Sequence, residues 1–136
     1  MLDEKFDLKI EKLIQFLKQN PDDQFIIFGF TSFLWTYLIQ KMKDRKIKIP
    51  KNRGIMIHGG GWKKMNDQAV DRDIFNQCIK DTIGINSIHN YYGMIEQAGS
   101  VFLECEFGFF HSSIFLEVFI RDDNLNLSSI KQNGLI

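Results

Sequence analysis

Two short Gly-containing segments carry the residue types that could bind a nucleotide. The first is His58-Gly59-Gly60-Gly61-Trp62, and the second, about one βα unit later, is Tyr92-Gly93-Met94-Ile95-Glu96. Each follows a run typical of a buried strand, and in α/β folds ligands bind at the carboxyl ends of the strands. In the second segment Tyr92 offers a flat aromatic face, Gly93 allows the backbone to approach a ligand closely, and Glu96 offers a carboxylate for a divalent cation. The two segments therefore predict one edge of a nucleotide site.

The glycine triplet also has other interpretations. A His-Gly-Gly-Gly loop forms the oxyanion hole of some esterases, but these enzymes need a Gly-x-Ser-x-Gly motif, and Ser32 lies in Gly-Phe-Thr-Ser-Phe instead. Neither standard phosphate-loop pattern is present. The triplet has a further interpretation as a tight turn that binds no ligand. The second segment has a corresponding one, as a turn in which Glu96 is simply solvated.

The histidines and cysteines give weaker signals. His58, His89 and His111 are scattered, and a histidine at a strand end is more often structural than catalytic. Cys105 and His111 are six positions apart and could be zinc ligands, but a structural zinc needs four ligands and only Cys78 remains to help. Cys105 as a nucleophile is a further alternative, although the sequence alone gives no sign of a lowered thiol pKa.

Alternating helices and strands must position the two segments. Apolar residues at helical spacing predict a helix over residues 5–19 and a second one over residues 33–42, capped by Thr31 or Ser32. A third helix is predicted from an N-cap at Asp71 to a C-terminal Gly84. Three buried strands are predicted at residues 25–28, 55–57 and 85–91. The order αβαβαβ predicts a parallel sheet with helices packed on it.

The pattern changes after residue 100. Apolar runs at residues 101–103, 107–110 and 114–120 follow one another without helices, and residues 134–136 resemble the start of another strand. The expected fold class is α/β, with a mostly parallel sheet, flanking helices and C-terminal antiparallel strands. We expect a single domain over residues 1–136, in which 1–100 carry the nucleotide-site half and 101–136 form a β-rich extension.

Composition narrows the function classes. The net charge is zero, which argues against a nucleic-acid partner, because such proteins carry a basic patch. Two cysteines and the absence of a signal-peptide pattern favour the cytoplasm. The longest apolar run, at residues 25–35, is too short to span a membrane. The 13 phenylalanines exceed what a small core holds, so we expect an aromatic surface that faces a partner outside this chain or self-associates.

Several motifs in fixed order resemble those of a known family. They are Phe28-Gly29-Phe30-Thr31-Ser32, His58 to Lys64, Tyr92 to Gln97, Glu104-Cys105 and Arg121-Asp122. From about residue 10 to the end, the chain resembles the LuxE-type acyl-protein synthetases, which activate fatty acids for the bacterial fatty acid reductase complex. This family is similar to phenylacetate–CoA ligase within the adenylate-forming superfamily, so the chain resembles an internal subdomain of that enzyme fold.

The resemblance implies a reaction and a set of roles. A carboxylic acid such as a fatty acid attacks the α-phosphate of ATP to give acyl-AMP, and the acyl group then passes to a thiol. Gly59, Gly60, Gly61 and Trp62 would line the adenine pocket. Tyr92, followed in the motif by Gly93 and Met94, would pack near the adenine of ATP or AMP. Glu96 would be the catalytic carboxylate that reaches Mg²⁺.

The resemblance also implies what the chain lacks. Ile95 replaces the threonine of the superfamily, a variant that the LuxE type shares. The phosphate loop would precede Met1, and the ribose-binding Asp, the catalytic Lys and the acceptor Cys would follow Ile136. We therefore expect a fragment of a longer enzyme that is inactive alone and whose partners are the remainder of the enzyme or an acyl-reductase. The alternative is a non-catalytic domain that docks on a partner through a Phe-rich surface.

Overall fold

The computed structural model describes residues 9–20, 22–94, 96–97, 99–129 and 134. The chain forms two compact units, Met1–Tyr91 and Tyr92–Ile136. The beginning of the predicted first helix, Ile95, and the end of the strand predicted at 134–136 lie outside the described residues. The helices are α1 (Ile10–Gln19), α2 (residues 31–44) and α3 (Arg72–Ile83), with a 3₁₀ segment at Lys63–Gln68, and the strands are β1 (Ile26–Phe30), β2 (Ile55–Gly59), β3 (Ser87–Gly93), β4 (Val101–Glu104) and β5 (Phe110–Ser112).

The first unit is built on a parallel sheet of β1, β2 and β3. Ile27 pairs with Met56, which pairs with Ile88, and this row faces the helices. Met56 is fully buried, so its side chain sits at the centre of the helix-covered face. Its neighbours in this row, Ile27 and Ile88, are β-branched, which suits a strand of a packed sheet.

The strand order places the helices of the first unit on one face. The crossovers β1–α2–β2 and β2–α3–β3 step in the same direction across the sheet, and right-handed crossovers then put both helices on the same side. The buried side chains agree, since all three helices contribute to one apolar cluster with the sheet. Its buried members are Ile10, Leu13, Ile27, Leu34, Trp35, Leu38, Ile39, Met42, Met56, Phe75, Ile79, Ile83 and Ile85.

The other face of this sheet carries no helix from the described residues. Ile26, Phe28 and Phe30 alternate with the buried positions of β1, and their exposed fractions are 62%, 66% and 52%. Parallel sheets are normally covered on both faces. The first unit therefore presents an apolar sheet face to its surroundings, which we call the bare face.

Helix α2 differs from its prediction in two ways. Its first turn, Thr31–Phe33, and its last, Lys41–Asp44, are α-helical, but the central Leu34–Gln40 is π-helical. The predicted side-chain cap by Thr31 or Ser32 is wrong, because the helix begins at Thr31 and its N-cap position is Phe30, without a side-chain cap. The hydroxyl of Thr31 bonds instead to groups of β2.

Helix α3 begins and ends at the predicted residues. Asp71 occupies the N-cap position, although its side chain makes no cap hydrogen bond. Gly84 ends the helix with φ +73°, a left-handed conformation that favours glycine. A methyl group at Gly84 would also overlap the carbonyl oxygen of Pro50, so the chain before β2 lies directly against this helix end.

The second unit contains an antiparallel hairpin of β4 and β5, in which Leu103 pairs with His111 and Glu104 with Phe110. The strand predicted at 107–110 is wrong for most of its length, because 105–109 form the turn and β5 begins at Phe110. The strand predicted at 114–120 is also wrong, since these residues form a turn and irregular chain. Their side chains have no described core to pack into, and Ile114 is 93% exposed.

The architecture confirms the predicted fold class. Parallel strands with packed helices form the first unit, and antiparallel strands follow in the second. Within the part of the chain that the structure describes, no helix has the length and apolar character needed to cross a membrane.

Candidate functional site

The carboxyl ends of the three parallel strands meet at one edge of the first unit. Phe30 of β1 pairs with Gly59 of β2, which pairs with Tyr91 of β3. The glycine triplet begins in this row and runs out past the edge of the sheet. This is the position where open α/β sheets bind ligands, so the structure places the predicted glycine loop at the expected edge.

Gly59 is required by packing on the bare face. The ring of Tyr91 lies across β2 where Gly59 has no side chain, and it stacks on Phe28 with ring centroids 5.5 Å apart and planes 20° apart. A Cβ at Gly59 would stand 2.6 Å from Cδ1 of Tyr91 and 2.7 Å from its carbonyl oxygen. Gly59 therefore permits an aromatic pair, Phe28 and Tyr91, at the strand ends.

Gly60 and Gly61 contribute differently. Gly60 has φ +75°, a left-handed conformation that turns the chain out of the strand, and a Cβ there would meet the ring of Phe30 at 3.3 Å. No described atom lies within 4 Å of the corresponding position at Gly61. The backbone at Gly61 is therefore open on one side, so a flat ligand can approach its peptide groups directly.

A buried hydrogen-bond network fixes the start of the loop. The Thr31 hydroxyl donates to the carbonyl oxygen of Gly59 at 3.1 Å and lies 2.9 Å from Nδ1 of His58. Since a hydroxyl has one proton, Nδ1 of His58 must donate to Thr31. The two bonds attach the first turn of α2 to the end of β2. Thr31 and His58 are 8% and 7% exposed, so these bonds compete little with water.

Burial also sets the charge of His58. The imidazole packs on the ring of Phe75, with centroids 4.6 Å apart. Desolvation in this apolar surrounding lowers the pKa of His58 to about 4. The side chain is therefore neutral at physiological pH, which matches the structural interpretation of this histidine and does not favour a role as a general base near pH 7.

Trp62 holds the far end of the glycine loop. Its ring meets Trp35 edge-on at 5.9 Å and Phe75 at 6.4 Å, and it packs against the apolar core. The loop is thus fixed at both ends, by the Thr31–His58 network before Gly60 and by Trp62 after Gly61. Its role in nucleotide binding stays a prediction.

The remaining predicted site residues belong to the second unit. Tyr92 is 52% exposed, and its ring lies near Phe102 and Phe110, with centroids 6.0 and 6.5 Å apart. A Cβ on Gly93 would stand 3.3 Å from the carbonyl oxygen of Ser100. The carbonyl of Met94 accepts from the N–H of Gln97 at 3.2 Å, which closes a turn.

Glu96 lies in that turn with an exposed side chain. Among the described residues no group of three or more histidine, cysteine or acidic side chains could hold a metal ion. A single carboxylate does fit Mg²⁺ that arrives with a nucleotide, because that ion usually takes one or two carboxylates together with phosphate and water.

Cys105 has a chemical environment that the sequence did not reveal. The thiol is half-buried in the β4–β5 turn and bonds to the side chain of His111. Burial raises the pKa of the Cys105 thiol, but hydrogen bonds from the backbone of Phe109 and from His111 outweigh it, and the pKa lies below its usual range. Cys105 as a nucleophile thus remains an open alternative with a physical basis.

Sequence reasoning missed the aromatic pair and the network beneath it. Tyr91 adjoins the predicted Tyr92 but points to the bare face, and Phe28 meets it only through the strand register. Alternation along β1 offers a signal, because the aromatic residues at 28 and 30 occupy one face of the strand.

Known proteins resemble this chain in sequence. The chain matches the family described as "Acyl-protein synthetase, LuxE" over residues 3–136. A long-chain-fatty-acid–luciferin-component ligase of Aliivibrio fischeri is 31% identical over 106 residues, which cover 74% of this chain and 28% of that protein. A protein of the same name from Vibrio harveyi is 53% identical over 32 residues, which cover 24% of this chain and 8% of that protein.

No solved structure matches the chain significantly. The chain spans 28% of the length of the Aliivibrio fischeri relative, and the family match extends over nearly all of its own residues. The chain therefore belongs to the LuxE family of acyl-protein synthetases.

Proposed function

We propose that this chain forms one side of the nucleotide site of an ATP-dependent acyl-protein synthetase. The complete enzyme would activate a fatty or related carboxylic acid as acyl-AMP and pass the acyl group to a thiol. The names of the curated relatives support a fatty-acid ligase, since both are called long-chain-fatty-acid–luciferin-component ligases. The order of the motifs supports the adenylate-forming mechanism.

The observation that carries the proposal is the glycine loop at the carboxyl edge of the parallel sheet. Its backbone is open at Gly61, while the Thr31–His58 network and Trp62 hold its two ends. A preformed, bare peptide edge can accept a flat purine ring without reorganisation, which reduces the entropy lost on binding. We propose that Gly59, Gly60 and Gly61 line the adenine pocket.

The second-unit residues supply the complementary chemistry. The exposed ring of Tyr92 offers an apolar face for the adenine, and the carboxylate of Glu96 offers oxygen to the Mg²⁺ that accompanies ATP. When bound, Mg²⁺ offsets the charge of the phosphates. The residues of this chain would bind and orient the nucleotide.

The chain alone is proposed to bind without catalysis. It spans 28% of the Aliivibrio fischeri relative, and positioned groups typically contribute orders of magnitude in rate. We propose that the acid substrate, the remaining segments of the enzyme and an acyl-reductase partner complete the reaction in the cytoplasm. Steady formation of acyl-AMP by the purified chain would contradict this part of the proposal.

Isothermal titration with AMP and with ATP, with and without Mg²⁺, tests nucleotide binding. We expect Tyr92→Ala to weaken both nucleotides by about tenfold, in line with the loss of one aromatic contact. Glu96→Gln should weaken only ATP with Mg²⁺. Glu117→Gln is the matched control, because Glu117 is an exposed glutamate of the same unit and lies outside the proposed site.

No binding at millimolar nucleotide would show that the described residues do not form a site by themselves. If Glu96→Gln and Glu117→Gln change the affinity for ATP with Mg²⁺ equally, Glu96 does not bind the magnesium ion. If Tyr92→Ala leaves the affinity for both nucleotides unchanged, Tyr92 does not pack against the adenine.

A second candidate function is docking or self-association through the Phe-rich surface. The bare face favours it, because three large apolar side chains of β1 are each more than half exposed. Contiguous exposed apolar surface often marks an interface. In this alternative the chain would bind the remainder of the enzyme, a reductase partner or a second copy without contributing to catalysis.

Sedimentation of the purified chain without nucleotide tests the docking function. Ile26→Lys places a charge on the bare face without touching the Phe28–Tyr91 pair, and it should abolish self-association. Ile114→Lys, at a side chain that is 93% exposed in the second unit, is the matched control and should leave it intact. A monomeric wild-type chain would contradict self-association.

A further inference from the structure

The first unit contains a cavity at the edge of the sheet opposite the glycine loop. It has a volume of about 300 Å³ and lies between α1 and residues 48–52, the segment that leads into β2. Phe25, which directly precedes β1, also lines it. Because the three strands are parallel, this is the amino edge of the sheet, so the cavity is separate from the proposed nucleotide site.

One wall of the cavity is fixed by the end of α3. The N–H of Ile49 donates to the carbonyl oxygen of Thr82 at 2.8 Å, and the N–H of Asn52 donates to the carbonyl oxygen of Gly84 at 3.1 Å. The side-chain amide of Asn52 adds a bond of 2.7 Å to the carbonyl of Ile83. These bonds hold the segment against a packed helix, so the wall is preformed.

The interior of the cavity is apolar. Ile14 and Leu17 of α1 face Ile49 and Pro50 across it. Phe25 is half-buried, and its ring lies so close to Gly54 that a Cβ there would stand 2.7 Å from Cε2. Four of the lining side chains are partly buried and pack against the apolar core, namely Ile14, Leu17, Phe25 and Ile49. Their remaining surface lines the cavity. An aliphatic chain would cover apolar area that water otherwise contacts.

The charged side chains that line the cavity are all cationic. Lys18, Lys48 and Lys51 line it and are exposed, so their apolar stems extend the walls while their ammonium groups reach solvent. No acidic side chain is among the described residues that line the cavity. An apolar interior beneath three lysines complements a molecule with an aliphatic body and an anionic end.

We propose that this cavity is a second binding site for an aliphatic carboxylate. The aliphatic chain lies between Ile14, Leu17 and Ile49, and the carboxylate meets the lysine ammonium groups at the mouth. The volume of about 300 Å³ lies at the lower end of the range for small-molecule sites, which suits a chain of medium length. The ligand has the same chemistry as the acid substrate of the proposed function, but the cavity lies at the other edge of the sheet, so its occupancy is measured without nucleotide.

Titration of the purified chain with decanoic acid at neutral pH, below its micelle concentration, tests the proposal. Decan-1-ol has the same chain without the charge and serves as the neutral probe. We expect decanoate to bind about tenfold more tightly than decanol, because each ammonium group contributes modestly in a hydrated setting. Amide chemical shifts should change at Phe25 and Ile49 for both probes.

Two variants separate the charge from the apolar cavity. Lys48→Gln with Lys51→Gln removes two of the three lysines, so it should reduce the preference for decanoate and leave decanol binding unchanged. Lys43→Gln with Lys80→Gln is the matched control outside the cavity. Leu17→Trp should fill the cavity and weaken both probes, with folding checked by circular dichroism.

Equal affinities of the wild-type chain for decanoate and decanol would overturn the proposal. The same conclusion follows if the preference of the double lysine variant for decanoate is as large as that of the wild-type chain. If Leu17→Trp does not fold, the chemical shifts of the wild-type chain decide, and changes confined to residues outside the cavity would overturn the proposal.

Discussion

The two units of this chain differ in where their apolar side chains lie. Every buried hydrophobic residue among those described belongs to the first unit, where three helices cover one face of a parallel sheet. In the second unit Glu104 is the buried residue of the described part, while Ile114 and Phe115 are 93% and 92% exposed. The first unit therefore has a core of its own, and the described second unit does not.

This difference shows which part of the chain depends on surroundings. Burial of apolar area is the main favourable term in folding, and conformational entropy opposes it. A hairpin with an exposed apolar continuation gains little of that term by itself. We infer that the second unit reaches its full stability only when something covers its phenylalanine-rich chain.

The comparison can be tested with matched isoleucines. Ile79 of α3 is fully buried, so Ile79→Ala should lower the free energy of unfolding by about 2–5 kcal/mol. Ile114→Ala in the second unit removes an exposed side chain and should change it by less than about 0.5 kcal/mol. Urea denaturation followed by circular dichroism measures both. Similar losses would mean that Ile114 is packed in solution.

The backbone can be compared through two glycines that adopt a left-handed conformation, one in each unit. Gly84→Ala forces an unfavourable φ and also pushes a methyl group onto the carbonyl of Pro50, so we expect a loss of about 2–4 kcal/mol. Gly99 has φ +94° but open space around it, and Gly99→Ala should cost about 1–2 kcal/mol. Thermal denaturation of both variants measures the two losses of stability. Equal losses would mean that the chain near Pro50 moves away from the new methyl group at residue 84.

His58 in the first unit should link the stability of the chain to pH. The folded pKa of His58 is about 4, below the value of about 6.5 in an unfolded chain. Between these values the unfolded chain binds the extra proton, so stability falls as the pH drops, by up to about 3 kcal/mol.

Urea denaturation from pH 7 to pH 4.5 measures this effect. His58→Gln should flatten the dependence on pH relative to wild type. His111→Gln in the second unit is the control and should retain it. A parallel loss of stability in wild type and His58→Gln would show that His58 does not carry the effect.

The smallest expected effect concerns the two cysteines. Cys105 has a lowered pKa through the hydrogen bonds in its turn and its contact with His111, so at pH 7 iodoacetamide should alkylate it faster than Cys78. Replacing His111 by Gln should slow alkylation at Cys105 and leave Cys78 unaffected. Mass spectrometry of peptides resolves the two sites, and equal rates in wild type would argue against the interaction with His111.

Local patterns in the sequence predicted most of the first unit. Asp71 and Gly84 mark the ends of α3 because caps depend on a few neighbouring residues. The strands β1 and β2 were predicted because short apolar runs followed by glycine are typical of a parallel sheet. The glycine loop was placed at the correct edge for the same reason.

Features that depend on distant contacts were not predicted. The hydroxyl of Thr31 suggested a helix cap but bonds to β2, because His58 and the Gly59 carbonyl are within reach only in the folded sheet. The stacking of Tyr91 on Phe28 depends on strand register. Residues 114–120 have the composition of a strand, but an apolar run forms one only where a partner strand pairs with it.

The π-helical segment Leu34–Gln40 suggests where the length of this chain can vary. A π-helical turn holds one more residue than an α-helical turn, and such turns often occur as single-residue expansions within α-helices. Deleting one residue here would return the helix to α-helical pitch while leaving β1 and the chain before β2 nearly in place. We expect insertions and deletions among relatives to be tolerated in this helix more readily than in α3, where the close approach of Pro50 fixes the position of the last turn.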